Sequence, residues 1–178
     1  MREPLTAERL ELFIKALAAA AKTASRVYLV GGASAVLQGW RTATIDIDLK
    51  IIPETDDLLR ILPELKERLH INIELASPED FIPELPGWQE RSSFIRQEGK
   101  LSFYHYDFYA QALAKIERGH DKDLIDVQQF IQRGLVQPRR LRELFSIIES
   151  QIHRYPELDA RTFRASVEQI VREYEGGK

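Results

Sequence analysis

The chain contains no cysteine, which excludes a disulfide framework and any thiolate metal site. Positive charge is not in excess either. Its 178 residues carry 25 Lys and Arg against 28 Asp and Glu, a formal net charge of −3, so overall charge gives no support for a polyanion-binding role, although a local basic patch remains compatible with it. No uninterrupted apolar run approaches the roughly 20 residues that a membrane span needs, and Met1-Arg2-Glu3-Pro4-Leu5-Thr6 lacks the apolar core of a signal peptide. The four histidines, at 70, 105, 120 and 153, show no metal-ligand spacing and read as structural. Internal repeats and low-complexity segments are also missing. These absences predict a soluble, cytoplasmic protein with no membrane partner. What is present, 44% hydrophobic and 30% charged residues, is the composition of a globular chain long enough for one sizeable domain with a helical appendage.

The chain is organised around Val27-Tyr28-Leu29-Val30-Gly31-Gly32-Ala33-Ser34 and the later Thr44-Ile45-Asp46-Ile47-Asp48-Leu49. The first stretch predicts a short apolar strand, a glycine turn and a helix whose apolar face is Ala33, Val36 and Leu37. The amides of Gly32 to Ser34 then fall in the first helical turn, where they lack intrahelical acceptors and suit phosphate. In the second stretch alternation sends Ile45, Ile47 and Leu49 toward a core and Asp46 and Asp48 together to the other face. Two like charges this close call for a cation or for solvent. A hard divalent ion such as Mg²⁺, bound by one or two carboxylates and completed by substrate phosphates, fits them; the plainer alternative is a solvated sheet face.

In chain order, residues 6 to 22 predict an amphipathic helix capped by Thr6, with Leu10, Phe13, Ile14, Leu17 and Ala21 on one stripe. Pro53 ends the acid-bearing strand, and a helix is expected over residues 56 to 69, kinked or divided by Pro63. His70 to Leu75 alternates again, with Ile71, Ile73 and Leu75 inward and His70, Asn72 and Glu74 opposite, which makes Glu74 a candidate third carboxylate. Strands near 92–97 and 101–106 form a hairpin across Glu98-Gly99-Lys100. The expected fold is α+β: a mixed sheet of about five strands flanked by helices in residues 1–106, then a helical part, 107–178, packed on that core. In that part Asp107 caps a helix stopped by Gly119, another runs from Asp121 to near Gly134, and two stripes follow. They are Leu141, Leu144, Phe145, Ile148 and Ile152, then Phe163, Val167, Ile170, Val171 and Tyr174. The terminal Gly176-Gly177-Lys178 is expected to fray. The aromatic cluster Phe103-Tyr104-His105-Tyr106 with Phe108 and Tyr109 reads as core, with base stacking as the alternative use.

Gly31-Gly32 with Ser34, a spacer of about a dozen residues, and Asp46-Ile47-Asp48 resemble the signature of the nucleotidyltransferase superfamily. Arg41-Thr42-Ala43-Thr44 before the acids, with Lys115, Lys122-Asp123 and Asp126 later, resembles more narrowly the abortive-infection nucleotidyltransferase toxins and their uncharacterised relatives. The likeness covers roughly residues 26 to 131. It implies a Mg²⁺-dependent enzyme moving a nucleoside monophosphate from a nucleoside triphosphate to a hydroxyl on an RNA end, such as tRNA, or on a protein, in the setting of a toxin with an antitoxin partner. It further implies metal binding at Asp46, Asp48 and Glu74, with Glu74 completing a second metal position or serving as base. Gly31, Gly32, Ser34, Arg41 and Lys115 would bind nucleotide, and Asp123 or Asp126 would orient Lys115. Read from their surroundings alone, Lys115 and Arg118 are equally a solvated helix face, and Asp123 and Asp126 equally a favourable first helical turn. Glu74 is equally the polar side of an alternating strand.

Other enzyme classes are set aside by missing motifs. No Gly-Lys-Ser/Thr follows the glycines, Gly31-Gly32 does not match Gly-x-Gly-x-x-Gly, and no serine or cysteine sits in a nucleophile motif. The competing class is a catalytically inactive nucleotide-binding or protein-interaction module of the same fold.

Overall fold

Apolar residues three and four apart in residues 7–20 form helix α1 (Ala7–Ala20), and the Thr6 hydroxyl caps it by accepting from the Arg9 N–H at 3.4 Å. The computed structural model describes residues 1–176; Gly177 and Lys178, where fraying is expected, lie outside the described residues. Two units are distinguished, the first comprising Met1–Ser77 with Ser92–Tyr106 and the second Pro78–Arg91 with the chain from Asp107 onward.

The first unit is built on strands β1 (Leu5–Thr6), β2 (Ser25–Val30), β3 (Ala43–Thr44), β4 (Asp46–Ile52), β5 (Asn72–Leu75), β6 (Ser93–Glu98) and β7 (Leu101–His105). Helices α2 (Gly32–Gln38) and α3 (Asp56–Leu69) complete it. β1 and β3 pair with each other, and the main sheet has the order β5-β4-β2-β7-β6. β2 runs antiparallel to β4 and parallel to β7, β4 is parallel to β5, and β6 is antiparallel to β7. The result is the expected mixed sheet with flanking helices. Val27, Leu29, Ile47, Leu49, Ile73, Leu101 and Phe103 share one buried cluster with Leu10, Phe13, Ile14 and Leu17 of α1 and Leu58, Leu62 and Leu65 of α3. Period-2 alternation in the strands and helical periodicity in α1 and α3 thus meet in a single core, where truncating one leucine costs about 2–5 kcal/mol.

Four local expectations are corrected. Ile45 is 63% exposed, because the chain bends there between β3 and β4 and the inward alternation starts only at Ile47. Leu75 is 47% exposed; it ends β5, which among the described residues is the edge strand of the sheet. Pro63 does not divide α3, which continues as one helix of 14 residues. One missing N–H is tolerated where the helix buries an amphipathic face. His70, read as a strand residue, instead takes the left-handed conformation (φ 52°) that caps α3.

The second unit is helical: α4 (Trp88–Arg91), α5 (Phe108–Arg118), α6 (Asp121–Gln132), α7 (Pro138–Ile148) and α8 (Ala160–Glu175). The Asp107 carboxylate caps α5, accepting from the Tyr109 N–H at 3.1 Å, and Gly119 stops that helix at φ 71°. The whole first stripe, Leu141 to Ile152, is buried, as are Phe163, Val167 and Val171 of the second, whereas Ile170 and Tyr174 stay partly exposed. Phe145 and Phe163 join α7 to α8 with ring centroids 4.8 Å apart. The inserted segment Pro78–Arg91 is fastened by polar contacts. Arg91 donates twice to Asp107 Oδ2, at 3.0 and 2.8 Å, and the Tyr155 hydroxyl donates to the Glu79 carbonyl at 3.1 Å. Phe103, Tyr106 and Phe108 are buried, as the core reading of the aromatic cluster expects.

Candidate functional site

The glycine turn is fixed by what lies against it. Gly31 adopts φ 63° with ψ −129°, a conformation that side chains resist, and a Cβ built there would stand 3.5 Å from Asp48 Oδ2. A Cβ on Gly32 would fall 2.0 Å from Thr44 Oγ1 and 2.7 Å from Thr44 Cβ. The two glycines are therefore the form the chain takes where the exit of β2 passes directly over β3 and β4. The first helical bond of α2 runs from the Ala35 N–H to the Gly31 carbonyl at 3.0 Å, so the amides of Gly32, Ala33 and Ser34 have no acceptor within the helix.

Strand register sets the acids. Val30 pairs with Asp48, and Asp48 pairs in turn with Glu74, so one row crosses β2, β4 and β5. Asp46 lies one pleat away on the same face and pairs with Asn72. Side chains two apart on a strand, or level on neighbouring parallel strands, project the same way, about 5 to 7 Å apart. Asp46, Asp48 and Glu74 consequently share one face of the sheet. Asp46 and Asp48 are half-buried and Glu74 is exposed. The amide of Asn72 lies between two of them, donating to Asp46 Oδ1 at 2.7 Å and to Glu74 Oε1 at 3.1 Å. Neither this contact nor the packing of Thr44 on Gly32 carries a sequence motif; the one available signal is an amide two residues before Glu74 on the same strand face.

Ser34 is fully buried. Its hydroxyl donates to the Leu29 carbonyl at 3.1 Å and lies 2.9 Å from His105 Nδ1. A hydroxyl has one hydrogen, so with that hydrogen on Leu29 the ring donates from Nδ1. The side chain links β2, α2 and β7 and leaves no hydroxyl donor for a phosphate. Burial pushes the His105 imidazole down to about 4, so it is neutral at ordinary pH. Arg41 is half-buried ahead of β3, with its N–H donating to the Ala35 carbonyl at 3.4 Å.

In the second unit α5 and α6 bring Lys115, Asp123 and Asp126 together. Lys115 Nζ lies 2.8 Å from Asp126 Oδ2 and 3.6 Å from Asp123 Oδ1, and Arg118 Nε donates to Asp123 Oδ2 at 2.8 Å. All three residues are buried. Burial works to raise the Asp123 carboxyl, but the Arg118 hydrogen bonds and the Lys115 charge outweigh it and hold the group below the usual carboxylate range.

No helix among the described residues is long and apolar enough to cross a membrane. No curated protein and no solved structure matches the chain. The profile of a family described as "Nucleotidyltransferase of unknown function (DUF6036)" matches residues 8–175. A glycine turn set against an acid-bearing strand is the arrangement that the superfamily resemblance predicts, and the match spans nearly the whole sequence: the chain belongs to this family of nucleotidyltransferases.

Proposed function

We propose that the protein transfers a nucleoside monophosphate from a nucleoside triphosphate to a hydroxyl acceptor, using Mg²⁺ or a similar divalent ion at Asp46 and Asp48. The observation that carries this reading is the row Val30, Asp48 and Glu74, which sets carboxylates beside the Gly31-Gly32 turn in a chain of a nucleotidyltransferase family. The donor set suits a hard ion, being carboxylate oxygen throughout. No group of three or more His, Cys, Asp or Glu side chains among the described residues is disposed to hold an ion by itself. An ion shared with a triphosphate needs only one or two carboxylates, because phosphate oxygens and water supply the remaining ligands. When bound, the ion would neutralise the charge that develops on the phosphates as pyrophosphate departs.

The chain's own residues do the rest. The amides of Gly32 to Ser34 donate to phosphate oxygens, and Arg41 adds positive charge. Glu74 takes the proton of the acceptor hydroxyl as its oxygen bonds to the α-phosphorus. The bond from that phosphorus to the bridging oxygen breaks, and its electron pair leaves with pyrophosphate. In this reading Lys115, Asp123 and Asp126 serve the architecture of the helical unit, since the Lys115 ammonium is matched by Asp126 at 2.8 Å. The toxin resemblance makes tRNA ends and protein hydroxyls the acceptors to try first.

Two measurements test the reading. Calorimetry should show triphosphate binding tightened by Mg²⁺ and weakened by a chelator, because ion and phosphates complete each other's coordination. Labelled nucleotide should pass to bulk tRNA or to protein in the presence of Mg²⁺, and Asp48→Asn should abolish that transfer while the protein still folds. Triphosphate affinity indifferent to the chelator would overturn the proposal.

A further inference from the structure

Resting on the reading just given, we propose that Asn72 is a positioning residue of the acid site: its amide stands in for the cation, cross-linking Asp46 and Glu74 until an ion is bound. A primary amide has two N–H donors. Here the nitrogen lies 2.7 Å from Asp46 Oδ1 and 3.1 Å from Glu74 Oε1, so each hydrogen meets one carboxylate. The orientation is dictated by chemistry, because the amide oxygen turned the same way would face two acceptors. The position is dictated by register. Asn72 pairs with Asp46 across β4 and β5 and stands one pleat before Glu74 on its own strand, a place from which a short side chain reaches both acids.

The amide carries no net charge. It holds the two carboxylates by hydrogen bonding without cancelling their repulsion, which an arriving cation does. Asn72 therefore matters most to the metal-free protein. Replacing it raises the free energy of that form more than that of the ion-bound form, so the variant gains more stability from the ion than the wild type does. A side chain that merely filled space at this position would lower both forms alike.

The test uses Mn²⁺ with a fixed concentration of a nonhydrolysable nucleoside triphosphate, with thermal melts and calorimetry on the full chain as wild type, Asn72→Leu and Asn72→Asp, each in chelator and in saturating ion. In chelator, Asn72→Leu is expected to melt several degrees below wild type, and saturating Mn²⁺ should close more than half of that gap. Asn72→Asp, of the same shape, places a third acid between the other two, so its metal-free form should melt lowest and, with one more charged oxygen donor at the site, its affinity for Mn²⁺ should rise about tenfold. Should Asn72→Leu fail to fold, Asn72→Ser, which keeps a small polar side chain but not the double amide donor, decides by the same comparison. Equal Mn²⁺ shifts in all three proteins would overturn the role of Asn72 and leave the site itself standing. Absence of Mn²⁺ binding by the wild type, with and without triphosphate, would instead overturn the reading of the site, and this inference with it.

Discussion

Asp123 and Asp126 in the helical unit are 3% and 1% exposed and receive an ammonium and a guanidinium from Lys115 and Arg118. Asp46 and Glu74 in the sheet unit are more open to solvent and receive the neutral amide of Asn72. Carboxylates supplied with cations by their own chain have their charge already matched. Carboxylates held by a neutral donor keep a capacity for positive charge from outside. Both clusters lie in the stretch that resembles the nucleotidyltransferase pattern, yet their burial and their partners differ.

The contrast can be strained from both sides, and the largest effect is expected in the helical unit. Lys115→Met removes the cation from Asp126 and leaves that buried carboxylate without its ammonium, so urea unfolding should report a loss of about 3–5 kcal/mol. A loss below 1 kcal/mol would mean that the cluster is not matched in charge as described. The next effect is one of pH in the sheet unit. His105 is held neutral down to about 4, whereas an unfolded histidine takes a proton near 6.5. Between those values the unfolded chain binds more protons than the folded one, so stability falls as pH falls from about 6.5 to about 4 and levels off below. The upper bound is about 3 kcal/mol; His105→Gln should flatten that part of the profile, and the imidazole should titrate near 4 by NMR.

Smaller is Gly32→Ala. Its Cβ would meet Thr44 at 2.0 Å, an overpacking expected to cost about 1–3 kcal/mol and to weaken triphosphate binding, with partial recovery when Thr44→Gly is added. Smallest in stability, though complete in activity, is Asp48→Asn. Melted in chelator it should lose no more than about 1 kcal/mol, since the amide keeps the shape of the carboxylate and one of two neighbouring acids is neutralised. A melting point lower by many degrees would place Asp48 with the charge-matched cluster.

Much of the fold was legible because its signals are local. Ile47 and Leu49 alternate with Asp46 and Asp48, Thr6 and Asp107 cap the helices expected of them, and Gly119 ends its helix. Ile45 and Leu75 were misjudged because alternation carries no information on where a strand bends or which strand lies at an edge. Ser34 looked available to phosphate because its partner His105 is 71 residues away. Asn72 went without a role for a similar reason: pairing it with Asp46 requires knowing that β4 and β5 are parallel neighbours, which only the assembled sheet specifies.

The interleaving of the two units bears on how the chain can be made and cut. β2 has β4 on one side and β7 on the other, so during synthesis its second edge stays open from Val30 until Leu101 to His105 have emerged, and Pro78–Arg91 emerges in that interval before the helix it is fastened to. A fragment beginning at Asp107 would lack both Arg91 for Asp107 and Glu79 for Tyr155, and a fragment ending at Ser77 would lack two of the five strands. Neither unit can be released by a single proteolytic cut, and a nick in the segment around Pro78–Arg91 should leave two pieces that each need the other to fold.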